Sequence, residues 1–283
     1  MTITSSSVLT ELNISVWTGQ KLDRSATDKV TSDNHAVRDA GQFKKNLMAG
    51  TGARKDIADY AASCRLWHNT RTLPWADKGA RLLPTSLFLA YKDEANSRRA
   101  YFDNMVDKFM ANYQSHVQTA RQNLGALFDP ADYPSEDEVR SKFGFRLVFS
   151  PVPESGDFRL DLPKQDMEEM ARSYEHAFND RLQDAMRTPW EQLHRLLATM
   201  STKLTASDDD EKKRWHDTFL TNAQDMCAML THLNITKDAK LEQARLDLER
   251  ALVGLDMDNI KQDADTREDV KAKLDAILSA NSW

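Results

Sequence analysis

The chain has 283 residues, 40% of them hydrophobic and 29% charged, with a formal net charge of −6 at pH 7. That length allows one large or two small domains, and the acidic balance argues against wholesale coating of nucleic acid. Cys64 and Cys227 are the only cysteines and lack CxxC spacing. This argues against a disulfide framework and for a reducing, cytoplasmic setting.

The opening MTITSSSVLTELNISVW has neither the basic start nor the continuous apolar run of a signal peptide. No window approaches the roughly 18 apolar residues of a membrane span. The charge is uneven: residues 1–110 hold 16 Lys and Arg against 12 Asp and Glu, and the remainder is strongly acidic.

In chain order, residues 8–18 mix helix and strand signals, with Ile14, Val16 and Thr18 suiting a short strand. Residues 25–48 read as a weak helix. Gly50 and Gly52 match neither GxGxxG nor GxxxxGK[ST] and follow no strand, so they read as a helix stop and turn. Residues 53–68 form a second helix, and residues 73–83 a turn or hairpin.

Two long amphipathic patterns follow. In the first, Phe102, Met105, Phe109, Tyr113, His116, Ala120, Leu124 and Leu127 recur at steps of three and four, one stripe of a helix. Residues 87–128 contain no Pro and would make a rod of roughly 60 Å. The second runs from Met167 through Tyr174, Phe178, Leu182, Trp190, Leu193 and Leu197 to Leu204, with a kink or restart expected at Thr188-Pro189.

Between them, Ser135 followed by Glu138 is a capping-box signature for a short helix. Phe145, Leu147 and Phe149 then alternate with Arg146, Val148 and Ser150. Beyond a Pro/Gly/Ser turn, Phe158, Leu160 and Leu162 alternate with Arg159 and Asp161. This reads as a β-hairpin with one apolar face. Further helical stripes cover 215–233, 241–253 (with Gly254 as its stop) and 263–280. They pack on the arm or form a separate bundle.

The fold expected is mainly α. A small α+β base (1–86) leads into a long antiparallel helical hairpin, a coiled-coil-like arm (87–206) with a β-hairpin tip at about 145–162, and then C-terminal helices (207–283).

LNISVWTGQKL, LPWADKGARLLP, YPSEDEVRSKFGF and the Asn234-Ile235-Thr236-Lys237-Asp238 turn resemble, in order and spacing, a bacterial and phage family, domain of unknown function 3150. The resemblance implies a phage or mobile-element setting, often near a MoxR-like AAA+ ATPase and a von Willebrand A-type protein. It brings no activity and no catalytic residues.

The seven histidines form no HExxH, HxH or Cys/His cluster, and no GxSxG is present. Adjacent carboxylates such as Glu168-Glu169 suit solvated faces. No catalytic residue, metal or cofactor is therefore assigned, and no enzymatic activity is expected.

The most suggestive constellation is basic and aromatic: Lys44, Lys45, Arg54, Lys55, Arg65, Arg71, Lys78 and Arg81 with Trp67 and Trp75. Cations neutralise phosphates and exposed rings stack on bases, which would suit a nucleic-acid binder. Asp56, Asp59 and Asp77 dilute it. A two-helix arm buries little of itself, so Met105, Phe109, Tyr113, Phe145, Phe149, Phe158, Leu193 and Leu197 are candidate partner contacts. The leading expectation is an interaction or assembly protein, homo-oligomeric or serving an ATPase-containing complex. The alternative is a nucleic-acid-binding accessory protein of phage replication, recombination or defence, working through the basic base.

Overall fold

A computed structural model describes residues 3–76, 79–153, 163–205 and 218–280. In chain order the elements are α1 (Ile3–Ser6), β1 (Ser7–Ser15), β2 (Gln20–Leu22), α2 (Arg24–Asp33), β3 (Lys44–Asn46), α3 (Ala53–Arg71), β4 (Leu73–Pro74) and β5 (Arg81–Pro84). Then come α4 (Phe88–Ala111), α5 (Tyr113–Leu124), α6 (Glu136–Arg140), β6 (Gly144–Pro151), α7 (Lys164–Leu204), α8 (Thr218–Leu233), α9 (Ala239–Leu252), α10 (Met257–Gln262) and α11 (Ala264–Ala280). The protein is mainly α, with a small sheet of order β4-β5-β1-β6 and a separate β2-β3 ribbon.

The chain divides into two compact units. One comprises Met1–Glu11, Thr70–Tyr91 and Phe149–Trp283, the other Leu12–Asn69 and Lys92–Val148. The boundaries read from the sequence, at 86 and 206, are therefore not those of the packed units. Compositional shifts mark changes of chain character, whereas packing joins segments far apart in sequence.

In the first unit β1 pairs antiparallel with β5, Leu9 opposite Leu82, and β5 with β4, Leu82 opposite Leu73. These leucines, with Trp75 and Val152, bury one face against Phe178, Leu182 and Ala185 of α7 and Leu233 of α8. The Trp75 ring meets Phe178 edge-on at 5.0 Å. Farther along, Trp190, Leu193, Leu197, Met200 and Leu204 of α7 close a core with α8, α9, α10 and α11. Each such leucine, once buried, contributes about 1.5–3 kcal/mol. The hairpin expected at 73–83 is present, as β4 and β5. The C-terminal helices form as expected, joined by α10, which the sequence reading omitted.

In the second unit Trp17 lies against Phe109 and Tyr113 at 6.3 and 6.2 Å, and Phe102 against Phe145 at 5.9 Å. Ile57, Ala61 and Cys64 of α3 and Val139 of α6 complete this core. The capping box on α6 forms as read, Ser135 and Glu138 satisfying each other's backbone N–H.

Several expectations are corrected. The rod over 87–128 is two helices: α4 ends at Ala111, and Asn112 carries its side-chain amide back to the Lys108 carbonyl at 2.8 Å before α5 begins. Of the kink or restart expected at Thr188-Pro189, the restart does not occur, since α7 runs unbroken from Lys164 to Leu204 with Pro189 inside and buried. The weak helix over 25–48 is only α2, followed by irregular chain and β3. The first strand of the expected hairpin is β6, with Phe145, Leu147 and Phe149 less exposed than their neighbours. Its second strand, including Phe158, lies outside the described residues.

Candidate functional site

The most built polar feature belongs to the second unit, around Lys45. In the β2-β3 ribbon Gln20, Lys21 and Leu22 face Asn46, Lys45 and Lys44. Alternation along β3 turns Lys45 inward and leaves Lys44 and Asn46 exposed. Asp23 then caps α2, its carboxylate accepting from the Ala26 N–H at 2.9 Å. The Phe43 N–H donates to Thr27 Oγ1 at 3.0 Å and the Asp23 N–H to the Phe43 carbonyl at 3.0 Å, which folds the segment back on α2.

Lys45 Nζ lies 2.5 Å from Asp132 Oδ2 and 3.3 Å from Asp23 Oδ2, and donates to the Leu127 carbonyl at 2.9 Å. Burial pushes the ammonium down, but hydrogen bonds to Asp132 and Asp23 outweigh it and hold the group above its ordinary value. The Asp23 carboxyl is lowered, first by the Ala26 N–H, with Lys45 adding to it. Lys45 is thus a charged tie between the α2 segment and residues 127–132.

Above this tie opens a cleft of about 830 Å³. One wall is Lys21, Leu22, Arg24 and Lys29, and the other is Ala126, Leu127, Phe128 and Asp129. Lys21, Arg24 and Lys29 are exposed and form no ion pair among the described residues. Asp129 instead accepts from the Ala131 N–H at 2.9 Å, and Arg121 sits 5.8 Å over the Phe128 ring.

The cations singled out from sequence divide between the two units: Lys44, Lys45, Arg54, Lys55, Arg65 and Trp67 fall in the second, whereas Arg71, Trp75 and Arg81 fall in the first. Lys45 is only 7% exposed. Arg54 donates to the Trp17 carbonyl at 3.4 Å, Lys55 pairs with Asp59 at 2.6 Å, and Arg65 donates to the Ile14 carbonyl at 2.8 Å. Arg81 donates to both Thr72 oxygens and Arg71 to Thr70 Oγ1. Lys44 is exposed, and Lys78 lies outside the described residues.

Trp67 and Trp75 are buried, at 5% and 6% exposure, so neither ring offers a face to a base. Arg98 already lies 5.0 Å over Trp67. The residues missed are Lys21, Arg24 and Lys29: Lys29 falls inside the weak helix expected over 25–48, and Lys21 and Arg24 lie just before it.

The candidate partner contacts are corrected too. Phe109, Tyr113, Phe145, Leu193 and Leu197 are core residues, and Met105 packs against the same core as Phe109. Phe149 meets Phe88 at 5.0 Å. Large apolar side chains that stay exposed include Leu22, Val30, Val37 and Phe43, all close in sequence around α2.

Of the titratable groups elsewhere, His116 stacks on Phe109 at 5.3 Å, and His232 Nδ1 lies 3.0 Å from Ser86 Oγ. Ser201 Oγ donates to Asp275, which also takes Lys271, so its hydroxyl serves to tie α7 to α11. No cluster of three metal-ligand side chains occurs among the described residues. No described helix is long and apolar enough to cross a membrane. No protein-family model, curated protein or solved structure matches the chain.

Proposed function

We propose that this protein is a non-enzymatic interaction or assembly protein, whose contact surface is the segment around α2 and not a helical arm. One observation carries this reading. Leu22, Val30, Val37 and Phe43 are 39%, 52%, 71% and 36% exposed within one segment, and Leu22 lines a cleft whose cations Lys21, Arg24 and Lys29 form no ion pair among the described residues. Exposed apolar groups concentrated in this way mark surfaces that are covered in an assembly.

The resemblance to domain of unknown function 3150 supports a cytoplasmic subunit or adaptor of a phage or mobile-element complex. The partner would be a second copy of the chain or a MoxR-like ATPase. Capture of the tagged protein from its host, with and without nuclease, tests the reading. Defined partners, or a defined homo-oligomer, that survive nuclease are expected. Partners that all vanish with nuclease would sink it.

The second reading, a nucleic-acid-binding accessory protein, is favoured by the exposed cations Lys21, Arg24, Lys29 and Lys44 around α2. Salt-sensitive binding to DNA or RNA, lost on reversing these charges, would support it.

A further inference from the structure

We infer that the cleft between α2 and residues 126–132 docks an acidic, amphipathic segment of a partner protein. The inference rests on the interaction-protein reading and names the chemistry of its partner.

Charge complementarity selects the occupant. Lys21, Arg24 and Lys29 line one wall and are exposed without an ion-pair partner among the described residues, so they are available to carboxylates. The facing wall offers Leu127 and Phe128, and Leu22 sits 39% exposed beside the cations. A segment with carboxylates on one side and apolar side chains on the other meets both walls. A nucleic-acid strand fits less well. Its charge is continuous, and it would pass Asp129 on the second wall and Asp23 and Asp132 on the floor, where a single Lys45 balances two carboxylates. The cleft's polarity is therefore one-sided, which a folded or folding peptide can match residue by residue.

The test uses the full chain and two probes, a synthetic Glu/Leu amphipathic peptide and an oligothymidylate of similar length, read by fluorescence anisotropy. The peptide is expected to bind, with affinity falling as salt rises. Arg24→Glu with Lys29→Glu should weaken it roughly tenfold or more, and Leu22→Ser should weaken it without changing the salt dependence. Lys55→Glu, a single charge reversal outside the cleft lining, should leave it unchanged. If Lys55→Glu weakens binding as much as the cleft variants, or a Gln/Leu version of the peptide binds as well, the cleft assignment is wrong. If nuclease-resistant partners nevertheless persist, the assembly reading survives that failure. Preferential binding of oligothymidylate, lost in the same cleft variants, overturns the docking inference. The assembly reading falls with it only if the partners also vanish with nuclease.

Discussion

The indole N–H of Trp190 donates to Asp238 Oδ2 at 3.1 Å, so one carboxylate joins the middle of α7 to the start of α9. Asp238 Oδ1 also accepts from the backbone N–H groups of Lys240 and Leu241, at 2.9 and 3.4 Å, as the cap of α9. Its own N–H and C=O are held by the Asn234 side chain. Asp238→Ala removes the cap and the indole's acceptor together and should cost about 2–3 kcal/mol. Asp238→Asn keeps one oxygen, which can still cap α9, but leaves the indole facing an NH2 donor, so it should cost less than the alanine variant and not be neutral. Urea denaturation of the three proteins measures this, and a loss below about 0.5 kcal/mol for the alanine variant would disprove the coupling.

Lys45 holds two carboxylates and a carbonyl at one nitrogen. Lys45→Met removes the cation but leaves Asp132 and Asp23 side by side. A loss of about 2–3 kcal/mol is expected, less than for a fully buried pair because the group borders an open cleft. The double variant Lys45→Met with Asp132→Leu should recover part of that loss, because an apolar contact replaces the shorter ion pair while Asp23 keeps the Ala26 N–H. Thermal melts of single and double variants separate this from a general intolerance at the site. If the double variant is no better than the single, the carboxylate is not the source of the loss.

What was legible in the sequence was local. Ser135 and Glu138 announce their capping box, the alternation from Phe145 to Ser150 announces a strand, and Gly254 stops α9 with φ +74°. The stripe through Phe109 and Tyr113 was also real, but periodicity reports that a face is covered, not by what. Here Trp17, Phe143 and Phe145 cover it, from segments distant in sequence. The break at Asn112 leaves the three-and-four spacing intact, so counting could not detect it. At Pro189 the reverse holds: a local breaker is overridden because Trp190, Leu193 and Leu197 must keep one register in a packed core. Lys45 could not be distinguished from Lys44 by residue type, since only strand register turns one inward.

Gly19 is a backbone requirement of the second unit. Its φ is +59°, and a Cβ there would stand 2.8 Å from Arg54 Cδ. The Gly19 carbonyl accepts from the Leu47 N–H at 2.7 Å, fixing the entry to the β2-β3 ribbon. Gly19→Ala should destabilise by about 1–2 kcal/mol, from left-handed backbone and a displaced Arg54. Adding Arg54→Ala relieves only the contact, so the double variant should remain less stable than Arg54→Ala alone. Equal melting temperatures for those two proteins would show that the backbone conformation carries no penalty.

Asp275 gives the protein a defined response to acid. Lys271 Nζ lies 2.5 Å from one of its oxygens, and Ser201 Oγ donates to the other at 2.5 Å. Lys271 chiefly, and then Ser201, hold the carboxyl below its ordinary value. A carboxyl lowered in this way binds fewer protons folded than unfolded. Its contribution is complete above the unfolded value of about 3.9 and is lost as pH falls through the folded one. The stability that Asp275 contributes should therefore be lost below about pH 4. Asp275→Asn should begin less stable at neutral pH and lose less on acidification, because the Asn cannot titrate. Urea midpoints for both proteins, taken either side of that pH, decide the matter. Parallel decline in the two would place the acid sensitivity in other carboxyls, such as Glu242, lowered mainly by its hydrogen bond from Arg245.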